Sequence, residues 1–107
     1  MFELTELTES DLLAVYGQLK EQYALTLTNT LSADEGFRVD MPILTAEAHG
    51  KILWLYVYDG EFVLDVMDSA RTMGTHWHPM NTEQAVRDIT AFFEGTADYP
   101  MLPFRQG

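Results

Sequence analysis

The stretch Lys51-Ile52-Leu53-Trp54-Leu55-Tyr56-Val57-Tyr58-Asp59-Gly60-Glu61-Phe62-Val63-Leu64-Asp65-Val66-Met67-Asp68 decides the fold. Two strand-like runs flank Asp59-Gly60, and Asp-Gly is a strong two-residue hairpin signal because a type I′ turn needs φ > 0 at both central positions. Such a loop sets Val57 opposite Phe62, Leu55 opposite Leu64 and Leu53 opposite Val66, all on one face. His49-Gly50 marks a second turn upstream, and carrying the register through it adds Leu44 and Ala46 to that face. Strands over Phe37 to Ala48, Lys51 to Tyr58 and Glu61 to Asp68 therefore form a three-stranded antiparallel meander. A fourth strand joins it if residues 24 to 36, where leucines alternate with threonines, extend rather than prolong the preceding helix. Pro42 is acceptable only if the first strand lies at the sheet edge.

A helix is expected on each side of the meander. From Glu9 to Tyr23 the apolar residues Leu12, Val15, Tyr16, Leu19 and Tyr23 recur at helical spacing. Thr8 is suited to the N-cap, Glu9 and Asp11 put negative charge on the first turn, and Leu7 can staple onto Leu12. From Thr82 to Glu94, Ala85, Val86, Ile89, Phe92 and Phe93 form the stripe, with Asn81 as N-cap and Gly95 at the left-handed C′ position. Residues 96–107 form an irregular tail that packs through Tyr99, Leu102 and Phe104 or frays. The fold class is α+β, a single domain over residues 1–107 with both helices packed on one sheet face.

Length and charge narrow the function. The chain has 107 residues, 47% of them hydrophobic and 12% aromatic, enough for one modest core. Its 17 acidic side chains against six basic ones give a formal charge of −11, which repels nucleic acid phosphates and anionic membrane alike. Cysteine is absent, removing disulfides, thiolate nucleophiles and Cys-based metal sites. The opening Met1-Phe2-Glu3-Leu4-Thr5-Glu6 has neither a basic nor an apolar leader region, so a cytoplasmic address follows by default. No P-loop, G-x-G-x-x-G or G-x-S-x-G motif occurs, and no cofactor is expected.

Two features remain as candidates for function. The face opposite the core carries Met41, Ile43, Thr45 and Glu47, then Ile52, Trp54, Tyr56 and Tyr58, then Glu61, Val63, Asp65 and Met67. Two aromatic hydroxyls, an indole and an acidic rim have the composition of an interface rather than of a wetted sheet. Ile43, Trp54, Tyr56, Tyr58 and Met67 are the expected contact residues for a protein partner or a second copy in a homodimer. Glu47, Glu61 and Asp65 supply polar selectivity. The structural alternative folds the tail, or residues 24 to 36, over this face as a second small core.

The other feature is His76-Trp77-His78-Pro79, where two imidazoles two residues apart in extended chain point the same way and could serve one metal. A third ligand from Asp65, Asp68 or His49 would be needed to make a small metal-dependent enzyme. The structural alternative packs Trp77 under the second helix and leaves His76 and His78 at the surface. The net charge allows one more reading, an inhibitor or immunity-type protein that binds a basic partner. The order helix, meander, helix resembles the opening of secretion-chaperone-like domains, which implies dimeric binding of a partner protein rather than catalysis. That family continues into two more strands and a third helix, for which residues 95 to 107 leave no room, and no motif is shared.

Overall fold

A computed structural model describes residues 6–32, 38–70, 73–96 and 102–103. The fold is α+β: α1 (Glu9–Leu19), β1 (Thr26–Ser32), β2 (Arg38–Ala48), β3 (Lys51–Tyr58), β4 (Glu61–Asp68), β5 (Met73–Trp77), α2 (Thr82–Glu94) and a two-residue β6 (Leu102–Pro103). The strands lie in sequence order in one antiparallel sheet. Among the described residues no helix is long and apolar enough to cross a membrane.

The central register agrees with the turn chemistry. His49 and Asp59 both take φ 55, followed by Gly50 at 74 and Gly60 at 79, the left-handed pair that a type I′ turn requires. Val57 then faces Phe62, Leu55 faces Leu64, and Leu53 faces Val66 and Ala46, with Leu44 opposite Leu55. These residues form one cluster with Leu12, Val15 and Leu19 of α1 and Ala85, Ile89 and Phe92 of α2, so both helices cover the same face. Leu7 packs against that cluster, and its N–H donates to the Gly60 carbonyl at 2.9 Å, tying the entry of α1 to the β3–β4 turn.

Both helix starts are capped. The Thr8 N–H donates to Asp11 Oδ2 at 2.8 Å, and the Gln84 N–H donates to Asn81 Oδ1 at 2.8 Å. At the end of α2 the Gly95 N–H reaches the Phe92 carbonyl and the Thr96 N–H the Ala91 carbonyl, the Schellman pair, with Gly95 at φ 73.

Four expectations need correction. The sheet has five full strands and a two-residue sixth, more than the three or four expected. Helix α1 ends at Leu19 instead of Tyr23, and of the two readings open for residues 24 to 36 the strand is the one found, as β1. Tyr23 leaves the helix to stack on Phe93, ring centroids 4.6 Å apart, and its hydroxyl donates to Glu94 Oε2 at 3.1 Å. Pro42 is not in an edge strand, because β1 pairs outside β2. It sits where the pairing breaks: Thr28 faces Ile43 but Thr30 faces Asp40, so β2 spends an extra residue there, and the β2–β3 ladder starts only at Leu44. Finally, Met73–Trp77 is a strand paired with β4, and Leu102–Pro103 of the tail pairs with its outer side. The packing expected of Tyr99 and Phe104, and of the tail over the outer face, lies outside the described residues. Five strands between the helices depart from the three-strand order behind the secretion-chaperone resemblance, and nothing else in the fold carries it.

Two substitutions test this packing. Leu64→Ala, which empties a fully buried site at the centre of the inner face, lowers stability by about 2–5 kcal/mol in urea denaturation. Gly95→Ala lowers it by about 1 kcal/mol or more, because the residue holds φ 73 and a Cβ there would lie 3.3 Å from His49 Nε2.

Candidate functional site

Alternation along each strand puts the other half of the sheet residues on the outer face. Cross-strand pairing then lines up one row through all five strands: Thr26, Thr45, Trp54, Asp65 and His76. Tyr56, opposite Val63, reaches diagonally along this face, and its hydroxyl donates to Asp65 Oδ2 at 3.4 Å. A hydroxyl, an indole, a carboxylate and an imidazole thus stand side by side across the middle of the sheet.

The electrostatics centre on Asp65. Partial burial pushes its carboxyl above the usual value of 3.8, while the His76 imidazole, the Tyr56 hydroxyl bond and the His78 imidazole pull it back down. The Tyr56 hydroxyl is raised above 10.0 by burial, and by the adjacent Asp65 charge and its hydrogen bond. The two groups are therefore coupled: the Asp65 charge raises the Tyr56 hydroxyl, and the Tyr56 hydrogen bond offsets part of the rise that burial gives Asp65.

The two histidines of β5 and the residue after it lie near each other, rings edge-on with centroids 5.9 Å apart. His78 Nδ1 lies 3.0 Å from the Phe62 carbonyl, and since a carbonyl only accepts, Nδ1 is the donor. Both side chains are exposed. Trp77 between them turns inward, packs against the core, and donates from Nε1 to Asp88 Oδ2 of α2 at 2.8 Å. The three residues considered as a further ligand part company here. Asp65 is brought beside His76, Asp68 accepts from the Met73 N–H at 3.1 Å within the β4–β5 turn, and His49 donates from Nε2 to the Phe93 carbonyl at 2.7 Å. Among the described residues no group of three or more histidine or carboxylate side chains is placed to hold a metal ion.

The five expected contact residues are unequal. Tyr58 is 62% exposed, Trp54 and Tyr56 are half-buried, and Ile43 and Met67 are buried at 2% and 7%. Beside Trp54 the face is hollowed into a groove of about 510 Å³, walled by Thr26, Thr45, Glu47 and Ile52. A second hollow, about 450 Å³, lies at the β3–β4 turn between Glu6, Asp59, Glu61, His78 and Met80, the last 79% exposed.

Sequence reasoning missed Thr26 and His76 as members of the row. The signal was present in Thr75 and Trp77, which alternate inward opposite Val66 and Leu64 and so turn His76 outward.

Compared with known proteins, the chain matches no family model, no curated protein and no solved structure.

The position of Asp65 has a pH consequence. The folded protein keeps the Asp65 proton at pH values where the unfolded chain has released it, so this group's contribution to stability falls as pH rises through that window. Asp65→Asn, which retains an acceptor for Tyr56, therefore raises the urea midpoint at neutral pH. The gain shrinks toward zero as pH falls into the carboxylate range. Denaturation curves across pH check this, and an Asn variant less stable than the parent at neutral pH contradicts it.

Proposed function

We propose that this protein is a binding module whose outer sheet face, centred on Trp54, Tyr56 and Tyr58, takes up a protein surface, either a second copy of the chain or another protein. The observation that carries the reading is the groove of about 510 Å³ beside Trp54, on a face that neither helix covers. A half-buried indole beside a hollow, with two tyrosines further along the same strand face, offers the residue types that anchor protein contacts, large rigid area at small cost in side-chain entropy. Glu47 and Glu61, both exposed at the rim, select against acidic partners. Ile43 and Met67 share this face by alternation but are buried, so they add little contact area of their own.

The hollow at the β3–β4 turn favours one further reading, an inhibitor-like contact with a basic partner. Glu6, Asp59 and Glu61 surround it, and exposed Met80 offers an apolar anchor. Such a contact weakens steeply as salt rises, whereas docking on the aromatic face changes little.

Trp54→Ala and Tyr58→Ala test the main reading. Each reduces binding by about tenfold or more, as expected for an anchor worth over 1 kcal/mol, in light scattering for a second copy or calorimetry for another protein. The urea midpoint of Tyr58→Ala stays at the parent value. Full retention of binding in both variants moves the contact elsewhere, and loss of folding in Trp54→Ala places that indole in a core.

A further inference from the structure

Sheet edges differ from sheet faces in what they offer a partner. β1 ends the sheet, and among the described residues only β2 flanks it. An edge strand presents backbone N–H and C=O groups along its outer side, and proteins usually guard such edges with charge, proline, a bulge or a cover. The β1 sequence, Thr-Leu-Thr-Asn-Thr-Leu-Ser, contains neither charge nor proline. The irregularity in the β1–β2 pairing puts its extra residue on β2, together with Pro42, Arg38 and Asp40, so the guarding devices sit one strand inward from where an edge needs them. At the opposite end β5 carries β6 across Met73 and Gly74.

Charge points to the occupant. From Gln22 to Ala33 no Asp, Glu, Lys or Arg occurs; residues 72–82 form a second uncharged run, but the strand it contains, β5, already carries β6 on its outer side. Two copies at −11 repel wherever carboxylates meet, and little along a neutral edge such as β1. A basic partner finds nothing complementary there, whereas a strand of the same composition does.

We propose that β1 pairs antiparallel with β1 of a second copy across a two-fold axis, joining the two sheets into one. Seven paired residues supply about seven interchain backbone hydrogen bonds. The faces continue across the junction: Leu27 packs with the core on the inner side, and Thr26 lies in the Trp54 row on the outer side. The contact does not depend on the aromatic face and stands whether or not that face binds anything.

Because the chain contains no cysteine, single cysteines at each position from Thr26 to Ser32 report the pairing directly. In light scattering the parent protein shows twice the monomer mass, and its dissociation constant falls several-fold between about 0.05 and 0.5 M salt as self-repulsion is screened. Under mild oxidation a disulfide dimer forms at one β1 position or two neighbouring ones and falls away on both sides. A two-fold antiparallel pair brings only the residues nearest its axis within the roughly 4.4–6.8 Å that a disulfide spans. Leu13→Cys and Tyr58→Cys, at exposed sites off the edge, do not cross-link. Trp54→Ala with Tyr58→Ala leaves the β1 cross-link unchanged, which separates this contact from docking on the outer face. A monomer at every concentration overturns the proposal, as does a dimer weakened by salt. Cross-linking at Tyr58→Cys without any along β1 also overturns it and assigns the second copy to the aromatic face.

Discussion

Everything in this structure hangs on two turns of two residues each. His49-Gly50 and Asp59-Gly60 hold consecutive positive φ angles, and that geometry leaves β2, β3 and β4 a single way to pair. A slip by one residue would turn Leu53, Leu55, Phe62, Leu64 and Val66 toward water and bring Trp54 and Asp65 inward. At roughly 1.5–3 kcal/mol for each large apolar side chain taken out of the core, such a slip costs about as much as the whole stability of a domain this size. The register is thus fixed locally by turn chemistry and globally by burial, and the two agree.

The helices follow from the same register. A wall of aliphatic side chains on one face needs covering, and α1 and α2 each bring one apolar stripe to it. Their ends are fastened to the turns that set the register: Leu7 bonds to Gly60, and His49 bonds to the last turn of α2. What the core does not use falls on the other side by the period-two rule. The row Thr26, Thr45, Trp54, Asp65 and His76 is therefore a by-product of folding, and the proposed contact draws on it.

The parts legible in sequence were those with a local cause. The Asp-Gly and His-Gly turns, the Asn81 cap, the Gly95 stop and the inner-face residues each follow from a short-range rule and stand as expected. The rest depended on distant residues. Tyr23 continues the helical spacing of α1, yet its ring is drawn to Phe93, seventy positions further along. Pro42 looked like an edge marker, but a bulge accommodates it beside a strand that composition alone could not separate from helix. Met73–Trp77 contains a glycine and few β-formers, so its place was set by the free side of β4 rather than by its own preference. For the same reason Asp65 could be placed with His76 only as one of three choices, beside Asp68 and His49, and the β4–β5 pairing selects it.

Acidity and stickiness are divided spatially in this molecule. The described residues include no fully buried polar or charged side chain, so its carboxylates act mainly through the field they project into solvent. Such a field repels like-charged molecules where carboxylates cluster. It cannot by itself hold a partner, since exposed charge pairs contribute little and salt screens them. Holding requires apolar or hydrogen-bonding surface released from water, which is what the contacts proposed at the groove beside Trp54 and at the uncharged strand β1 would supply. Asp65 lies between these regimes, a carboxylate partly withdrawn from water, where burial raises its pKa and His76, Tyr56 and His78 offset part of that rise. Any partner that covers the Trp54 row withdraws it further, so the protonation of Asp65 and occupation of that face are thermodynamically linked.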